Sequence, residues 1–122
     1  MNNAQIEKLY ECARQSRALG DAMIRSFSGA DQAESELYYG ERRVYVAVAQ
    51  GTDLEAAIEA EDKRWRAYAE SQRKKVEEAP RIKSGPYAGA SSIHHRWVSP
   101  DGFETKARHI RAMVKIILGS KS

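Results

Sequence analysis

Three apolar stripes at helical spacing, separated by breaks of only a few residues, fill the first 78 positions of this 122-residue chain. A stripe of that period lies along one side of a helix and must be buried against another element. Ile6, Leu9, Cys12, Ser16, Leu19, Met23 and Phe27 predict a first helix over residues 3–27. Ser26 to Gly29 break it, and Ser28 or Asp31 is placed to cap the next helix. Leu37, Val44 and Val48, with Tyr38, Tyr45 and Ala49 beside them, predict a second helix over about 31–50, closed by Gly51. Thr52-Asp53-Leu54-Glu55 reads as a capping box, with the Thr52 hydroxyl as cap, and opens a third helix carrying Leu54, Ile58, Trp65 and Tyr68. Three such helices joined by short loops favour an all-α, antiparallel bundle over any sheet.

After Pro80 the character changes. Pro80, Gly85, Pro86 and Gly89 mark residues 80–92 as a Gly/Pro-rich connection. Ile93 to Val98 reads as a strand, Ser99-Pro100-Asp101-Gly102 as a type I turn, and Phe103 to Thr105 as the return strand of a small β-hairpin. Ala107, Ile110, Met113, Val114, Ile117 and Leu118 then form the stripe of a C-terminal helix that Gly119 ends. The expected organisation is therefore a helical bundle over 1–79, acting as a self-association region, and a basic arm, hairpin and helix over 80–122.

At this length one modest core is expected, burying roughly two-thirds of the unfolded surface. With 42% apolar and 30% charged residues the composition is that of a globular protein. No run of 18 apolar residues exists, so no membrane span is expected. Met1 to Gln5 has neither a basic nor an apolar leader region, and Cys12 is the only cysteine, so a reducing, cytoplasmic setting is expected.

Charge is distributed unevenly. Residues 1–60 hold six Lys/Arg against ten Asp/Glu, whereas residues 79–122 hold eight against two. A basic segment of this kind points to a polyanion, because neutralised phosphates release condensed counterions. Arg96, Lys106, Arg108, Arg111 and Lys115 are the candidate phosphate contacts, with Arg81, Lys83 and Lys121 in the same segment. Trp97 is placed to stack on a base or to pack the hairpin onto the bundle, and Tyr87, His94 and His95 lie nearby. The competing reading is that these cations are solvated decoration. In layout alone, a helical region followed by a Gly/Pro linker and a small basic module resembles bacterial nucleoid-associated silencers. Thr105-Lys106-Ala107-Arg108 lacks the glycine of their Gly/Arg-rich loop, so no residue role is carried over.

The acids offer a second candidate. Asp31-x-x-Glu34 and Glu59-x-x-Asp62 loosely resemble the paired acidic motifs of all-helical, metal-dependent nucleotide pyrophosphohydrolases, which would hold Mg²⁺ on carboxylates from facing helices. Asp31 stands where that pattern has Glu, and an acid at a helix start has a capping reason. Glu34, Glu41 and Glu61, on the apolar stripes, equally suit ion pairs with Arg42, Arg43, Lys63 or Arg64 across the bundle. His94 and His95 are adjacent, so on a strand they face opposite sides. No Cys/His pair has zinc spacing, and no Gly-rich phosphate loop is present. No catalytic residue, metal ligand or cofactor is assigned.

Tyr38, Tyr39 and Trp65 are the candidates for a protein interface, since aromatic residues anchor such surfaces. Adjacent tyrosines on a helix point about 100° apart, so one of them is expected to face outward. The expected function is a small, non-enzymatic regulatory protein that self-associates into a homo-oligomer and contacts nucleic acid or a nucleoprotein complex. The alternative is a stoichiometric adaptor or inhibitor of a protein target, such as those of mobile genetic elements, with the nucleotide hydrolase third.

Overall fold

The computed structural model describes residues 1–25, 29–86, 88–89 and 98–119. Four helices carry the fold in them: α1 (Asn3–Ile24), α2 (Gly29–Ala49), α3 (Leu54–Glu78) and α4 (Phe103–Gly119), with no strand among the described residues. The chain is an all-α helical bundle.

Local chemistry explains most of the boundaries. Asn2 starts α1 with a reciprocal capping box: its side chain accepts from the Gln5 amide at 2.9 Å, and Gln5 Oε1 accepts from the Asn2 amide at 2.9 Å. At the end of α2 the Thr52 amide donates to Ala47 O (2.9 Å) and the Gly51 amide to Val48 O (3.0 Å), with Gly51 at φ 99°. This is a Schellman closure, and it uses the left-handed backbone that glycine tolerates. Thr52 is thereby part of the stop of α2, and the cap of α3 falls one residue later than expected. Asp53 is the N-cap, its side chain accepting from the Ala56 amide at 3.1 Å.

The packed face of α1 also differs from the expected stripe. Leu9, Ala13, Ser16 and Gly20 are buried, whereas Leu19 is half exposed. Small side chains let α2 come close: a Cβ at Gly20 would lie 2.7 Å from the Tyr39 ring, and Ser35 Oγ donates to Gly20 O at 2.8 Å. Between α1 and α2, Ser16 meets Glu41 while Gly20 meets Ser35, so the residue order along one helix reverses along the other.

The largest correction concerns the β-hairpin. Phe103 to Thr105 form the first turn of α4, not a return strand. The Ser99–Gly102 turn is present, with the Gly102 amide donating to Ser99 O at 3.1 Å, but it leads directly into the helix. Ser99 Oγ also donates to Asp101. Burial explains the outcome, because Phe103, Ala107, Ile110, Val114 and Ile117 are all buried and recur at steps of four and three. They share one core with Leu9, Val44, Tyr45, Val48, Ile58 and Trp65 from the other three helices. The expected first strand, Ile93 to Val98, lies almost wholly outside the described residues, as do His94 and His95.

Candidate functional site

α4 begins at Phe103, which places Lys106 one turn later beside the buried stripe, facing α2. Its side chain is only 16% exposed. The ammonium lies 3.6 Å over the Tyr38 ring, 3.8 Å from Glu41 Oε2 and 4.0 Å from Glu34 Oε1. A cation held by a π-face and two carboxylates is well compensated for burial. Glu41 is itself buried, and its other oxygen accepts from Ser16 Oγ at 2.6 Å. A second buried acid, Glu61, takes both guanidinium donors of Arg43 across the α2–α3 contact, at 2.8 and 3.0 Å. The pairing expected across the bundle is therefore realised at Glu61, whereas Glu41 turns to a lysine from α4.

A groove of about 410 Å³ separates α3 from α4. Glu55, Glu59, Asp62, Arg66, Arg108 and Arg111 line it, so its charge is mixed. Arg111 makes a two-pronged contact with Glu55 at 2.8 and 2.9 Å, and Arg66 pairs with Asp62 at 2.9 Å. Hydrogen bonding to Arg111 holds the Glu55 carboxyl below its ordinary range. A depressed folded-state pKa adds stability above the ordinary carboxylate range, lost as pH falls through the folded value. Arg111→Ala is therefore expected to move the NMR titration midpoint of Glu55 upward and to make acid-side stability less pH-dependent. An unchanged midpoint would contradict the pairing.

Arg108 and Lys115 are exposed on α4 and make no ion pair among the described residues. Seven residues apart, they share one side of the helix at a separation of roughly 10 Å. Arg96, Trp97, Tyr87 and Lys121 lie outside the described residues. Arg81 and Lys83 are exposed beyond α3.

The aromatic candidates are committed internally. Trp65 is 6% exposed and donates from Nε1 to Ser99 O at 2.8 Å, tying the turn before α4 to α3. A Cβ at Gly102 would come 2.9 Å from that nitrogen, so this contact needs glycine there. Tyr39 is half-buried and donates to Asp21 at 2.6 Å, and half-buried Tyr38 underlies Lys106. Neither tyrosine is outward in the sense expected.

The acidic motifs are not brought together. Glu34 faces Lys106, Glu59 pairs with Lys63 at 3.2 Å, and Asp62 pairs with Arg66. Among the described residues no group of three His, Cys, Asp or Glu side chains is placed to hold a metal ion. No helix among them is long and apolar enough to cross a membrane.

The apolar residues left outside were not among the expected sites. Leu19 is 50% and Ile116 63% exposed. On α4, His109 and Met113 stand beside α1, with Met113 half-buried, and Ile116 follows three residues later. The signal for Ile116 was its neighbour: Ile117 occupies the buried stripe, so Ile116 must point away.

No family model, curated protein or solved structure matches the chain.

Proposed function

We propose that the chain is a small binding protein that works without catalysis and meets nucleic acid through exposed cations of α4. One observation carries this reading: Arg108 and Lys115 stand exposed, with no ion pair among the described residues, two turns apart on one side of the helix. Free cations on one side of a rigid helix suit a phosphate backbone, since little is lost on engaging them. Lys106 and Arg111 are set aside because both already face carboxylates. Arg81, Lys83 and Arg96 are further candidate phosphate contacts in this reading, and Trp97 a candidate for stacking on a base. The bundle is antiparallel, self-associates through its helices and works in the cytoplasm.

Binding of labelled duplex DNA, single-stranded DNA and RNA across a salt series tests the proposal. At roughly 0.9 per phosphate, two contacts set a minimum log–log slope near −2 for duplex DNA, and each further contact steepens it. An Arg108→Glu/Lys115→Glu double variant is expected to lose binding at least tenfold, whereas Arg111→Ala leaves it unchanged. Absence of binding to all three at low salt removes the reading.

The exposed apolar pair Leu19 and Ile116, with half-buried Met113, favours a second reading as an adaptor or inhibitor of a protein target. Leu19→Ser/Ile116→Ser would then abolish partner capture while the charge reversals leave it intact.

A further inference from the structure

The two walls of the groove between α3 and α4 differ in charge. Glu55, Glu59 and Asp62 stand at steps of four and three on the α3 wall, and Arg108 and Arg111 on the α4 wall. Glu59 and Asp62 pair within α3, with Lys63 at 3.2 Å and Arg66 at 2.9 Å. Glu55 instead reaches across. Among the described residues, Glu55–Arg111 is the one ion pair that joins α3 to α4.

Arg111 is the middle member of a basic stripe. Arg108, Arg111 and Lys115 recur at steps of three and four, which places them within about 60° of one another around the helix. Along its axis the intervals are about 4.5 Å and 6 Å. With Arg111 turned to Glu55, the stripe is broken into two cations separated by that residue. The contact is two-pronged, Arg111 Nε donating to Glu55 Oε1 at 2.9 Å and Nη2 to Oε2 at 2.8 Å. A phosphate offers two oxygens to the same fork, so carboxylate and phosphate compete for it. Both partners are open to solvent, the Arg111 side chain 46% and the Glu55 side chain 61% exposed, so burial does not keep a ligand from the guanidinium. An exposed pair adds little to stability, and the start of α3 is capped by Asp53. The main effect of the pair is to occupy Arg111.

We infer that Glu55 is an autoinhibitory group, holding the middle cation of the Arg108–Arg111–Lys115 stripe against α3 and away from a phosphate backbone. This regulation rests on the reading that α4 binds nucleic acid. With Glu55 ionised, α4 engages phosphates through Arg108 and Lys115. Once the Glu55 charge is removed, Arg111 joins them and the stripe is continuous. The brake withholds one contact, so it lowers affinity without abolishing binding.

The full chain and its variants are compared by binding of labelled duplex DNA, single-stranded DNA and RNA across a salt series. Glu55→Gln keeps the side-chain shape and removes the charge. It is expected to tighten binding on the order of fivefold near 100 mM salt and to steepen the log–log slope by about 0.9 on duplex DNA or 0.7 on a single strand. Adding Arg111→Ala to Glu55→Gln should return both quantities to those of the unaltered chain. Glu104→Gln is the control, since Glu104 lines the same groove but makes no ion pair among the described residues. It should change affinity less than twofold and leave the slope alone. If the unaltered chain binds but Glu55→Gln leaves the slope unchanged, the inference fails while the nucleic-acid reading stands. Equal gains from Glu104→Gln, or a gain that survives Arg111→Ala, would also overturn it, because groove charge and not Arg111 would then be responsible. No binding by either the unaltered chain or Glu55→Gln removes the inference together with the reading beneath it.

Discussion

Replacing Phe103 with alanine is expected to destabilise the protein by about 3–5 kcal/mol, the range for removing a large buried aromatic side chain. Phe103 is 1% exposed, and its ring comes so close to α2 that a Cβ at Gly40 would sit 3.0 Å from it. It is also the residue by which α4 enters the core shared with α1, α2 and α3. The loss should therefore appear in the whole chain, as one cooperative denaturant transition moved to lower midpoint with an unaltered slope. Far-UV circular dichroism and tryptophan fluorescence should report the same midpoint, because Trp65 is tied to the turn that precedes Phe103. Two separated transitions, with fluorescence lost first, would mean that α4 docks as an independent unit.

Phe103 also shows where a reading of the residues alone stops. The stripes of α2 and α3 were legible because Val44, Val48, Ile58 and Trp65 obey one period without a competing signal. Before α4 two signals compete. Ser99-Pro100-Asp101-Gly102 is a strong turn, and a turn between apolar segments suggests a hairpin. Yet Phe103 stands four residues before Ala107 and seven before Ile110, already in the phase of the helix. Tertiary burial of the ring decides between the two, and that is absent from local sequence. The consequence spreads to Lys106. With the helix begun at Ala107, Lys106 reads as a free cation on a hairpin; begun at Phe103, it falls on the flank of the buried stripe. Arg111 could not be assigned by either route, because Glu55 lies 56 positions away and only the packing of α4 against α3 brings them together. α1 differs in another way: Leu19 has the spacing of a core residue, but the close approach of α2 is made at Gly20, which has no side chain to signal it.

Lys106→Met is expected to cost about 3 kcal/mol, because removing one partner of a buried ion pair leaves the other charge uncompensated. Glu41 would then keep its Ser16 hydrogen bond but lose the cation 3.8 Å from its second oxygen, while Tyr38 would lose the charge over its ring. Methionine keeps most of the lysine stem, so the change reports on charge more than on packing. Adding Glu41→Gln to Lys106→Met should return a large part of the loss, since a neutral amide needs no counter-charge. This gives a coupling energy measurable by a double-mutant cycle in denaturant. A lysine serving as a phosphate contact behaves in the opposite way: its removal weakens binding, flattens the salt slope by about one contact, and leaves stability within a few tenths of a kcal/mol. Measuring both quantities on the same variant therefore separates the two roles. Lost stability that Glu41→Gln restores, with a salt slope unchanged, identifies Lys106 as the internal cation of the bundle and leaves Arg108 and Lys115 as the phosphate contacts of α4.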